Sequence, residues 1–188
     1  MERGGRVGME AGTLREKVLI ALLIYKFGKH QVNPDVSVIE PEADVLVGGY
    51  GVSIKTITLS TPTAVPSFKV SWTVDASAAQ AFYDTYNPKV DILLATICKD
   101  CEGGLFVIPI EVQNRVLQDI GRSKFLNLPK PGTNPRGVEI SREAVSQMLA
   151  QPHTKRLSIS WRISKSRAEL REQSLQQWIE LWQQEDEQ

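Results

Sequence analysis

The stretch EADVLVGGYGVSIKT, from Glu42 to Thr56, sets Glu42 and Asp44 on one side of a Gly-rich turn and Lys55 on the other. Val52, Ile54 and Thr56 alternate onto one face of the second arm, while Ser53, Lys55, Ile57 and Leu59 share the other. A lysine in such an apolar strand is costly unless an anion meets it. In a hairpin, Asp44 faces Ser53 or Lys55 across the ladder. That pairing has two readings. One is a salt bridge that holds the hairpin together. The other is metal-dependent phosphodiester hydrolysis, in which carboxylate oxygens hold Mg²⁺, the ion polarises the phosphate and a water, and the lysine orients that water.

These side chains need a frame. At 188 residues the chain fits one domain with a sizeable core. The N-terminus, residues 1–12, reads as a flexible leader without an export signal, and Met9 offers an alternative start. Thr13 to Phe27 is a predicted helix, with Thr13 as N-cap, Glu16 completing a capping box and Gly28 as the stop. Ser37 to Glu40 reads as a short strand, and Asp44 to Val47 with Val52 to Leu59 as the hairpin. DASAAQAFYDTY is a helix capped by Asp75 or Ser77, and VDILLATIC is apolar enough for a strand covered on both faces. The strand LFVIPIEV, the helix QNRVLQDI, the strand GVEIS, the helix SREAVSQMLAQ, the strand KRLSISWRI and a helix over 165–184 complete the chain. This order predicts an α/β (α+β) fold, a mixed sheet flanked by helices, with the main domain over 13–164 and a C-terminal helix and tail over 165–188.

Glu16, PEAD ending at Asp44, VSIKT ending at Lys55, then a helix and a buried strand, together resemble the PD-(D/E)xK nuclease superfamily, especially type II restriction endonucleases. The resemblance covers about Thr13 to Ile97. It implies an αβββαβ core with C-terminal additions, Asp44 as principal metal ligand and Lys55 as the water-orienting group. It implies Mg²⁺ as cofactor, double-stranded DNA as substrate and a homodimer in the cytoplasm. The chain departs from the pattern at Ser53, where the family carries a second acid, and Glu42 or Glu16 is left to supply that charge. The same scaffold also serves non-catalytic DNA-binding proteins and nucleases of RNA or branched DNA. A rival placement, Asp91 with Glu111 and Gln113 at the end of the next strand, forms a D…ExQ pattern that some restriction enzymes use.

Charge is segregated, although it sums to zero. From Asn114 to Arg167, eleven Lys and Arg face three acids, a net of +8; from Ala168 to Gln188 six acids face one arginine, a net of −5. A basic half of this kind suits a polyanion or a solvated face. Lys130, Asn134 and Arg136 in PKPGTNPRG, Lys69 after the loop STPTAVPSF, and Arg156 and Arg162 on the late strand are the candidate DNA contacts. Leu175, Trp178, Ile179 and Trp182 recur at helical spacing, a stripe for the domain itself or for a dimer partner. No run reaches the roughly 18 apolar residues of a membrane span. CKDC lacks a second ligand pair for zinc and reads as a hairpin tip with two free thiols. There is no P-loop, dinucleotide fingerprint or Gly-x-Ser-x-Gly elbow.

Overall fold

Gly48 and Gly49 both hold positive φ, +58° and +85°. Two consecutive positive φ values make the tight turn that matches strand twist, and glycine adopts them without a Cβ penalty. The turn joins β2 (Val45–Val47) to β3 (Tyr50–Leu59), paired antiparallel with Val45 opposite Val52. The structure, a computed structural model, describes all residues except 1–2, 37–41, 62, 74, 99–101, 131–136, 160–173 and 187–188.

Around that hairpin lie α1 (Arg3–Phe27), β1 (Val32–Asn33), β4 (Phe68–Lys69), α2 (Ala76–Thr85), β5 (Asp91–Cys98) and β6 (Gly103–Ile108). There follow α3 (Ile110–Ile120), α4 (Arg122–Phe125), β7 (Leu126–Asn127), β8 (Glu139–Ile140), α5 (Arg142–Leu149), β9 (Lys155–Ile159) and α6 (Leu175–Asp186). The main sheet has the order β1-β2-β3-β5-β6-β9, and β4-β8-β7 form a small second sheet. β3 and β5 are parallel, from Val52 opposite Asp91 to Leu59 opposite Cys98; the other pairs in the main sheet are antiparallel. The crossover between them carries α2, whose N-cap Asp75 accepts from Ser77 N and Ala78 N. Past its C-terminus, Arg122 Nη1 donates to the carbonyls of Tyr83 and Tyr86, at 2.8 and 2.7 Å, meeting acceptors that the helix leaves open.

Two cores sandwich the sheet. Ile92, Leu94 and Ile108 pack with Val112 and Val116 of α3 and Ala144, Val145 and Met148 of α5. Ile54, Leu93 and Ala95 pack instead with Leu19, Ala21 and Ile24 of α1 and Ile179 of α6. β5 is buried over Ile92–Cys98, as its apolar run predicts. These cores fix the register of the hairpin. A slip of one residue would exchange fully buried Ile54 for Lys55 and drive an ammonium into the α1-facing core, at a cost of several kcal/mol.

Several expectations are corrected. α1 begins at Arg3, so Thr13 is an interior residue and not an N-cap, and Glu16 is not a capping-box residue. Helix formers such as Arg6, Met9 and Ala11 carry the helix through Gly8 and Gly12, each of which disfavours it by about 1 kcal/mol. β6 ends at Ile108 and Pro109 begins a helix, so Glu111 and Gln113 lie on α3 and not on a strand with a D…ExQ pattern. Proline cannot donate to a ladder, and its fixed φ suits a helix start. Cys98 is disulfide-bonded and not a free thiol. The strand expected at Ser37 to Glu40 falls on residues outside those described, as do much of the late strand beyond Ile159 and residues 165–173 of the last helix.

Candidate active site

Asp44 stands one residue before β2, its own N–H donating to Val52 O at 2.9 Å. Its carboxylate reaches across to β3. Oδ2 accepts from Ile54 N at 2.6 Å, from Ser53 Oγ at 3.1 Å and from Lys55 Nζ at 3.4 Å. One oxygen thus gathers three donors from three consecutive residues, and none recorded among the described residues goes to Oδ1. The anion that Lys55 requires is Asp44, and Ser53, 6% exposed, is a donor that supports it.

Glu16 of α1 and Glu42 share a cleft of about 630 Å³ with Asp44, Ser53 and Lys55. Burial pushes the Glu16 carboxyl above its ordinary value, the Asp44 charge adds to that rise, and Lys55 works against it. Glu42 pairs with Lys89 Nζ at 3.6 Å. Tyr86 also lines the cleft; burial, and then the Glu42 charge, raise its phenol. Three carboxylates and three ammonium groups, Lys55, Lys69 and Lys89, therefore meet in one partly enclosed space.

The donor set suits a hard cation. Among the described residues no three His, Cys, Asp or Glu side chains converge into a ready-made cage. Mg²⁺ does not need one, because it is held by one or two carboxylates and completes its shell with water and phosphate oxygens. Asp44, whose Oδ1 accepts no hydrogen bond among the described residues, and Glu16, crowded by that neighbouring anion, offer two such carboxylates.

Comparison with known proteins decides the family. The family model described as restriction endonuclease ThaI matches residues 1–184. The chain belongs to the ThaI restriction endonuclease family. A solved structure described as a restriction endonuclease in complex with substrate DNA is 42% identical, with a TM-score of 0.78 over 97% of this chain and 85% of that one. A search of the curated proteins gave no match. The mixed sheet flanked by helices is thus a restriction-endonuclease fold, and the chain is a type II, site-specific DNA endonuclease.

In this restriction endonuclease the sequence-predicted acids and lysine come together: Glu16, Glu42, Asp44, Ser53 and Lys55 all line one cleft. The rival set is split: Gln113 lines the same cleft, and Asp91 and Glu111 do not. Asp91 Oδ1 accepts from Ile110 N at 2.8 Å and ties down the start of α3. Gln113, 1% exposed, donates to Val90 O and Ile108 O, and exposed Glu111 lies outside the cleft lining. Of the candidate DNA contacts, Lys69 lines the cleft; Lys130 and Arg156 do not, and Arg156 sits on the edge strand β9 over the Phe106 ring. Asn134, Arg136 and Arg162 are outside the described residues. Trp72, Tyr86 and Lys89 were not singled out by sequence; only Trp72, an aromatic residue just after a loop next to a strand, carried a signal that could have marked it.

Proposed function

We propose that this endonuclease hydrolyses a phosphodiester of double-stranded DNA at the Asp44–Lys55 cleft and depends on Mg²⁺. The observation that carries the reading is the convergence of β3 donors on one oxygen of Asp44 beside Lys55, with a second acid, Glu16, crowded against them. Asp44 is the principal metal ligand, and Glu16 or Glu42 supplies the further negative charge that Ser53 does not. A divalent cation bound there would neutralise the phosphate and make a water acidic. Lys55 orients the attacking water in line with the leaving oxygen and stabilises the charge that develops as one P–O bond forms and the other breaks. Ser53 and the Ile54 amide hold the Asp44 carboxylate in its rotamer. Two copies acting as a homodimer would cut the two strands of a twofold-symmetric site, in the cytoplasm, where cellular DNA lies. No helix among the described residues is long and apolar enough to cross a membrane.

The test is digestion of a long unmethylated plasmid with Mg²⁺, beside an EDTA control and a Lys55→Ala variant whose fold is checked by circular dichroism. Discrete fragments lost in both controls are expected. An undiminished rate for Lys55→Ala would remove Lys55 from the mechanism, and fragments in EDTA would remove the metal.

A further inference from the structure

The cleft has a second, differently built part. Lys69, Val70, Ser71 and Trp72 line it from β4 and the segment that follows. That segment is held by backbone: Val70 N and Ser71 N both donate to Val138 O, at 2.9 and 3.4 Å. Gly137 lies so close beneath it that a Cβ would stand 2.4 Å from Ser71 O, a contact no side chain tolerates without moving the backbone. On this fixed support Trp72 is left 59% exposed, and Lys69 Nζ lies 4.1 Å from the centre of its indole. A cation over an exposed ring contributes little to stability, so folding alone does not account for an indole held out in a polar cleft.

The pair is matched to one kind of surface. Deoxyribose offers an apolar ring face beside an anionic phosphate, and an indole beside an ammonium offers the complement of each. We propose that Trp72 and Lys69 form a clamp for the sugar–phosphate backbone of the DNA strand entering the cleft. Lys69 pairs with a phosphate and the indole packs on the neighbouring sugar. Both are positioning residues, since neither is within the Asp44–Lys55 cluster. The proposal rests on the catalytic reading only in taking this cleft as the place where DNA lies. Because the contact is to backbone, it strengthens binding to any sequence alike.

The experiment measures fluorescence anisotropy of a short fluorescein-labelled random-sequence duplex in EDTA across a salt series, and separately the turnover of saturating plasmid in Mg²⁺. Trp72→Ala is expected to weaken binding about tenfold, with Trp72→Phe restoring most of it. Lys69→Met is expected to lower the slope of log K against log salt by about 1, the signature of one lost phosphate contact. Turnover at saturating plasmid is expected to stay at the wild-type rate in both, so the defect appears in KM and not in kcat. Unchanged affinity in Trp72→Ala together with an unchanged salt slope in Lys69→Met would overturn the clamp; if the tryptophan variant fails to fold, the lysine slope decides alone. Lys55→Ala separates the two readings. Full cleavage by Lys55→Ala with weak binding by Trp72→Ala would leave the clamp standing and end the catalytic assignment, and the opposite pattern would do the reverse.

Discussion

Replacing Asp44 in two ways separates what its charge does from what its oxygen does. Asp44→Ala removes the acceptor of the Ile54 N–H, and Ile54 is fully buried. A buried amide left without a partner costs about 1–3 kcal/mol. The ion pair with Lys55, whose side chains are 24% and 36% exposed, adds at most about 1 kcal/mol after solvent screening. Asp44→Asn keeps a carbonyl oxygen for Ile54 N and Ser53 Oγ and loses only the charge, so its cost is expected to stay below about 1 kcal/mol. The alanine variant should therefore be less stable than the asparagine variant by about 2 kcal/mol, or roughly 4–8 °C in Tm for a domain of this size. Urea denaturation and calorimetry give the stabilities, and plasmid digestion in Mg²⁺ gives the activities. Both variants are expected to be inactive. Equal stabilities would refute the claim that this carboxylate anchors the Ile54 amide, and wild-type cleavage by Asp44→Asn would refute its role as a metal ligand.

Glu16 gives a test in pH. Its folded-state carboxyl titrates above the ordinary 4.5, so the folded protein holds that proton more tightly than the unfolded chain and loses stability as pH rises from 4.5 through the raised value. Glu16→Gln should consequently be more stable than wild type at neutral pH and equal to it below 4.5, while losing cleavage; a stability gain of the same size at both pH values in urea titrations would show that charge is not the cause. Size-exclusion chromatography with light scattering is expected to give a dimer at micromolar concentration with a cut-site duplex present. A monomer under those conditions would end the homodimer proposal.

The hairpin was legible because its signals agree. Period-two alternation, a Gly-Gly turn and a lone lysine in an apolar arm all require Asp44 and Lys55 to meet, and they do. β5 was also legible, since the short, β-branched apolar run ILLATIC suits a strand covered on both sides, and it is one. Where local signals compete, the reading failed. The apolar run LFVIPIEV continues past Pro109 as if the strand did, but Asp91 captures the Ile110 amide and Gln113 turns inward, so a helix wins. Thr13 and Glu16 imitate a helix start in the interior of α1, where Glu16 lines the cleft and caps nothing. Of the β4-β8-β7 sheet only β8 was legible, inside GVEIS; β4 and β7 gave no periodic signal, because each is two residues long and exists only through pairing. The sequence marks Trp72 as an aromatic after a loop but not its place in the cleft, because what fixes its segment is the fit of Gly137 under Ser71, a contact between segments far apart in sequence.

The donors that hold Asp44 lie nine, ten and eleven positions along the chain from it. The remainder of the cleft is drawn from much greater distances, from Glu16 to Gln113. Loops that are short close at little entropic cost, whereas the cleft requires the crossover, the second sheet and α1 to be docked together. The acid and its lysine are therefore a portable unit, and the place where DNA would lie is not. Transplanted into another scaffold with a matching sheet edge, the Asp44–Leu59 segment would arrive with its ion pair in register and with nothing to bring a phosphate to it.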